Sequence, residues 1–151
     1  MKRKIFIGAD SAGYLLKGVI IGHLKDMGYE VTDCGCDSTA SCHYPDFAAA
    51  VCRNVLDNLE GSFGILVCGT GIGMSMCANK YNGIRAAVCS DTFSAKMTRA
   101  HNDANVLCLG ARVTGECLAL EVLDAFLASE FEGGRHAIRV GMMAEIERKE
   151  R

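Results

Sequence analysis

Cys68 closes the apolar run 63–68 and is followed at once by Gly69-Thr70-Gly71-Ile72-Gly73. Three glycines in five residues let a backbone approach a ligand closely and turn successive N–H groups towards an anion. A helix predicted over 74–80 adds the positive end of its dipole at the same point. That setting favours the thiolate of a cysteine, and a thiolate is a usable base or nucleophile. The plainer alternative is a glycine-rich turn beside a buried structural cysteine. The spacing matches neither the dinucleotide fingerprint nor the Walker loop, since the third-glycine and Lys-Ser/Thr spacings are missing. A cysteine phosphatase would place an arginine after five intervening residues, and that position here is Met74.

The elements that must hold this segment are legible as an alternation. Residues 4–9, 30–34, 63–68, 84–89 and 105–110 read as short, mostly buried strands. Between them lie helical patterns: Leu16, Ile20, Leu24 and Met27 with Gly28 as a stop, then Phe47, Val51 and Val55. Residues 74–80 and 92–100 form shorter ones, and Ala119, Val122, Leu123 and Phe126 mark a fifth. The alternation predicts an α/β, three-layer Rossmann-like sandwich: a five-stranded parallel sheet with helices on both faces. In such sheets ligands sit at the carboxyl ends of the strands. Asp10-Ser11-Ala12-Gly13, the Cys68 segment, Ser90-Asp91-Thr92 and Gly110-Ala111-Arg112 all fall there.

Composition narrows the classes. The 151 residues suit one domain, 1–151, with a charged final stretch that reads as a helix over about 134–151, set against a partner subunit or solvent. A net charge of −2 excludes a general nucleic-acid or membrane-surface partner, so any anion must be held by a local cluster. No run approaches the roughly 20 apolar residues of a spanning helix. The odd count of nine cysteines, several within predicted elements, indicates free thiols in a reducing cytoplasm.

Eight blocks, in order, carry a family resemblance: Gly8-Ala9-Asp10-Ser11-Ala12-Gly13, Tyr44-Pro45-Asp46, Cys68-Gly69-Thr70-Gly71-Ile72-Gly73-Met74-Ser75, Ala78-Asn79-Lys80, Gly83-Ile84-Arg85-Ala86-Ala87, Ala100-His101-Asn102-Asp103-Ala104-Asn105-Val106-Leu107, Gly110-Ala111-Arg112-Val113 and Phe131-Glu132-Gly133-Gly134-Arg135-His136. Over nearly its whole length the chain resembles the ribose-5-phosphate isomerase B family, which includes the galactose-6-phosphate isomerase subunits. The resemblance implies an aldose–ketose isomerase of the pentose phosphate pathway, with Cys68 moving a proton between C2 and C1 through a cis-enediolate. It further implies that the backbone N–H groups of Gly69, Gly71, Ile72, Gly73 and Met74 hold the enediolate oxygens. Thr70, Asp10 and His101 would open the furanose and handle hydroxyl protons, Tyr44 and Asn102 would line the sugar pocket, and Arg112, Arg135 and Arg139 would clamp the phosphate. The family pattern also implies a homodimer or tetramer with sites shared between subunits, and neither metal nor organic cofactor. One departure stands out: Ser11 occupies a position where the family commonly has a phosphate-facing histidine.

Bland readings compete for several residues. His23 reads as solvated helix surface, His101 without the resemblance as a loop histidine, and His136 as either phosphate-facing or structural. Arg135 and Arg139, four apart on a helix, mildly repel unless an anion or a carboxylate such as Glu132 joins them. Cys34, Cys36, Cys42 and His43 resemble a metal set, but C-x-C is tighter than zinc knuckles and no second pair matches. Cys52, Cys77, Cys89, Cys108 and Cys117 read as small core residues. The rival functions are a six-carbon aldose 6-phosphate isomerase, a flavodoxin-like carrier and a non-catalytic sugar-phosphate-binding protein.

Overall fold

The computed structural model describes residues 1–150; Arg151, the last residue of the expected C-terminal helix, lies outside them. Five strands form one parallel sheet: β1 (Lys4–Ala9), β2 (Val31–Asp33), β3 (Ser62–Cys68), β4 (Ala86–Val88) and β5 (Val106–Gly110), in the spatial order β2-β1-β3-β5-β4. Six helices accompany them: α1 (Tyr14–Asp26), α2 (Tyr44–Leu56), α3 (Ile72–Ala78), α4 (Thr92–Asn102), α5 (Glu116–Leu127) and α6 (Arg135–Glu150). The architecture is the α/β sandwich expected.

Strand alternation sorts the core into two layers. Ile5, Ile7, Ala9, Ile65, Val67, Leu107 and Leu109 face the apolar stripes of α1, α4 and α5. Phe6, Leu66, Cys68, Val106 and Cys108 face α2 and α3. With both faces covered, β3 is buried along its whole length, which is why its sequence is one continuous apolar run.

The edge strands are shorter than their sequence pattern. β4 starts at Ala86 because the Arg85 N–H donates to Asn105 Oδ1 (2.8 Å) instead of entering the ladder. Helix α2 begins at Tyr44, three residues before its apolar stripe, with Pro45 in its first turn. Asp91 serves as the α4 cap, Oδ1 accepting the Ser94 N–H at 2.7 Å, and this bond holds its carboxyl below the usual range. The polar Ser90-Asp91-Thr92 segment therefore has a local structural use.

Two surface and core expectations are corrected. His23 is not simply solvated: Nε2 lies 2.8 Å from Asp124 Oδ1 and ties α1 to α5. Cys117 is exposed rather than in the core, because it is off the Ala119–Val122–Leu123–Phe126 stripe of α5. Cys52, Cys89 and Cys108 are buried and Cys77 half-buried. Desolvation pushes the Cys52 thiol up to about 12 and the Cys89 thiol up to about 11, leaving both inert at neutral pH. Lys17, not anticipated as special, is buried; its Nζ donates to Asp33 (2.7 and 2.9 Å) and to the Cys36 carbonyl (2.5 Å).

Candidate active site

The loop between β3 and α3 is shaped around the Cys68 thiol. Cys68 is 5% exposed, and its Sγ accepts the Gly71 N–H at 3.1 Å. Gly71 reaches that position with φ +79°, a left-handed conformation that glycine adopts without penalty. Thr70 Oγ1 accepts the Ile72 N–H at 3.2 Å. Gly73 and Met74 then supply first-turn N–H groups of the kind a helix leaves without intrahelical partners. The Met74 side chain itself is buried in the core, so only its backbone can serve a ligand.

Neighbouring loops close on this one. The Ala111 N–H donates to the Cys68 carbonyl (2.8 Å) and the Arg112 N–H to the Gly69 carbonyl (3.0 Å). The Arg112 guanidinium passes over Gly69: a Cβ there would lie 3.5 Å from Nη1. The Tyr44 ring lies against Gly73, where a Cβ would meet Cζ at 2.9 Å. Asp10 follows β1, and its Oδ1 accepts the Gly13 N–H at 3.0 Å. Gly13 is fixed as glycine by proximity, since a Cβ would sit 2.4 Å from the Val67 carbonyl oxygen. Asp10, Ser11, Tyr44, Cys68, Gly69, Thr70, Gly71, Ile72, Gly73, Met74 and Arg112 thus gather at the carboxyl end of the sheet.

The remaining expected residues gather elsewhere. Helix α4 runs back from the carboxyl edge, so His101 and Asn102 precede β5 at the amino edge. The register pairs Gly64 with Val106 and Cys68 with Gly110. Four residues of strand at ~3.3 Å each put the two edges at least ~13 Å apart. Arg135, His136 and Arg139 begin α6, on the His101 side: the His101 and His136 rings stack at 4.1 Å with planes 8° apart. Arg135 and Arg139 are exposed.

Glu132 does not pair with these arginines. Its Oε2 lies 3.5 Å from His136 Nε2 and 3.8 Å from His101 Nε2. Burial first, then the charges of His101 and Arg135, hold the His136 imidazole below its ordinary pKa, against the pull of Glu132. His101, Glu132 and His136 are the only set among the described residues with three such donors close enough for a metal ion, all within 4.8 Å. Stacked rings aim their in-plane lone pairs side by side, whereas a tetrahedral ion needs convergent ones. The Cys34, Cys36, Cys42 and His43 set does not assemble; the Cys36 thiol donates to the Ser38 carbonyl at 3.2 Å.

A family model described as Ribose/Galactose Isomerase matches residues 5–143. Ribose-5-phosphate isomerase B of Escherichia coli (strain K12) is 46% identical, over 97% of this chain and 98% of its own length. The solved ribose-5-phosphate isomerase B of Clostridium thermocellum has a TM-score of 0.95 at 52% identity, covering 98% of this chain and 99% of that one. The Mycoplasma genitalium ribose-5-phosphate isomerase B, solved with bound ribulose 5-phosphate, has a TM-score of 0.95 at 40% identity, with 99% of each chain covered. Matched from β1 into α6 by the family model and along almost its whole length by these relatives, the chain belongs to the ribose/galactose isomerase family.

Proposed function

We propose that the protein interconverts ribose 5-phosphate and ribulose 5-phosphate in sites built between two copies of the chain. The observation that carries this reading is the division of the expected residues into two groups at opposite edges of one sheet. A second copy can bring His101, Asn102, Arg135 and Arg139 up to the first copy's Cys68 loop. Helix α6 has a surface suited to such pairing: Ile138, Met142 and Ile146, at i, i+4 and i+8, are 69, 60 and 61% exposed. Covering the exposed part of each contributes about 1–2 kcal/mol.

In the complete site the Cys68 thiolate takes the C2 proton of the open-chain aldose and returns it at C1. The Gly71 N–H steadies the sulfur, and the first-turn N–H groups of α3 face the oxygens where charge develops. Thr70, Asp10 and His101 carry the hydroxyl and ring protons. Arg112, Arg135 and Arg139 hold the phosphate by charge and paired donors, with Ser11 contributing a hydroxyl and no charge. The nine free thiols suit the reducing cytoplasm, and among the described residues no helix is long and apolar enough to cross a membrane.

Subunit mixing tests the shared site. Cys68→Ala and the double variant Arg135→Ala/Arg139→Ala should each be nearly inactive alone. Equal mixing with subunit exchange should recover about a quarter of wild-type activity, because half the dimers are mixed and each mixed dimer has one intact site. No recovery after proven exchange would place the whole site within one chain.

A further inference from the structure

Beside His101 and His136 lies a carboxylate for which the reading above has no use. Glu132 stands in the segment joining α5 to α6, where its N–H donates to the Ala100 carbonyl at 3.0 Å and pins the segment to the last turn of α4. From there its carboxylate faces both stacked imidazoles. We propose that Glu132 is a positioning residue for ring opening, holding a single proton on the His101–His136 stack so that His101 can serve as the acid. This inference rests on the proposed isomerase reading, in which His101 opens the furanose.

Two imidazolium rings stacked at 4.1 Å repel each other, which favours a single charge on the stack. Arg135 and Arg139, on the helix that carries His136, push even that charge away. The Glu132 carboxylate, within 4 Å of both Nε2 atoms, acts in the opposite sense. At 3.5 and 3.8 Å it is beyond hydrogen-bonding distance, so it steadies the charge without taking the proton.

The step balances without an outside reagent. The imidazolium gives its proton to the ring oxygen as the C1–O4 bond breaks. The neutral imidazole then accepts the proton that the anomeric hydroxyl loses as C1=O1 forms. The stack ends with the charge it began with, and no electrons are transferred to or from the sugar.

Glu132→Gln removes the charge and keeps the shape at an exposed position. The full-length enzyme is assayed with ribose 5-phosphate, a furanose, and with 4-deoxyribose 5-phosphate, which lacks the 4-hydroxyl and stays an open-chain aldose. A general acid contributes ~10²–10⁴-fold, so loss of its supporting charge should lower kcat for ribose 5-phosphate by roughly tenfold to a hundredfold. The kcat for 4-deoxyribose 5-phosphate should stay within about threefold, and KM for both sugars within about threefold. Glu132→Asp, which keeps the charge, should restore part of the ribose 5-phosphate rate. Equal loss on both sugars, or loss on neither, overturns the proposal. His101→Asn separates the two readings: without selective loss of the ribose 5-phosphate reaction there, the ring-opening assignment itself fails. Selectivity in His101→Asn but not in Glu132→Gln leaves that assignment standing and refutes the role of Glu132 alone.

Discussion

Replacing Gly71 with alanine perturbs the loop where its backbone conformation and the Cys68 sulfur meet. At φ +79° an L-residue pays about 1–2 kcal/mol. The added Cβ would also lie 3.1–3.3 Å from the backbone of Leu109, which the β3–β5 ladder holds in place. The expected loss is about 2 kcal/mol in all, or ~4–8 °C in melting temperature for a chain of this size. Relief of the contact shifts the Gly71 N–H away from Cys68 Sγ, now 3.1 Å distant. A hydrogen bond to a charged group is worth about 1.5–3 kcal/mol, and ~1.4 kcal/mol is a factor of ten. Both kcat and the rate of iodoacetamide alkylation at Cys68 should therefore fall at least about tenfold. Gly22→Ala is the control. Gly22 lies within α1 with nothing inside 4 Å of the added Cβ, so this variant should gain about 0.5–1 kcal/mol and keep its activity. If Gly71→Ala melts with the wild type and alkylates at the wild-type rate, the loop geometry does not support the thiolate.

Other expectations follow from particular groups. Arg135→Ala or Arg139→Ala should raise KM for the phosphorylated sugar by roughly one to two orders of magnitude, since each charge-assisted bond is worth ~1.5–3 kcal/mol; an unchanged KM removes that arginine from the clamp. Ser11→His should lower KM progressively as pH falls from 8 towards 6, through the ordinary imidazole pKa of ~6.5, with kcat within about threefold. A higher KM at every pH would mean a steric clash, and a kcat loss of about a hundredfold would put Ser11 in proton transfer. His136 has a lowered pKa in the folded chain, so between that value and ~6.5 the unfolded chain binds more protons there. Its contribution to stability is complete above ~6.5 and is lost as pH falls through that window. His136→Asn should lose less melting temperature than wild type between pH 7.5 and 5.5, and parallel losses would refute this assignment of the shift.

Most of the fold was legible because it rests on local pattern. A run such as Phe63–Val67 can only be a buried strand, and Asp10, Cys68 and Arg112 each follow a strand directly, at the edge where ligands bind. Long-range relations were not legible. Nothing local to His23 or Glu132 shows that one meets Asp124 across two helices and the other reaches two histidines from separate helices. Nor does strand spacing show that β5 lies between β3 and β4. Cys117 was avoidable: the helical period already placed it off the buried stripe of α5. The family resemblance named His101, Arg135 and Arg139 for the site, but only the three-dimensional arrangement separates them from Cys68 in a single chain.

The most direct test of the account is kcat of Cys68→Ala on ribose 5-phosphate, measured on protein with wild-type melting behaviour and oligomeric state. With Cys68 as the proposed base, its removal takes away a contribution of ~10²–10⁴-fold. The account predicts a loss of at least about a hundredfold. Retention of more than about a tenth of wild-type kcat would contradict it and place the proton-transfer base elsewhere.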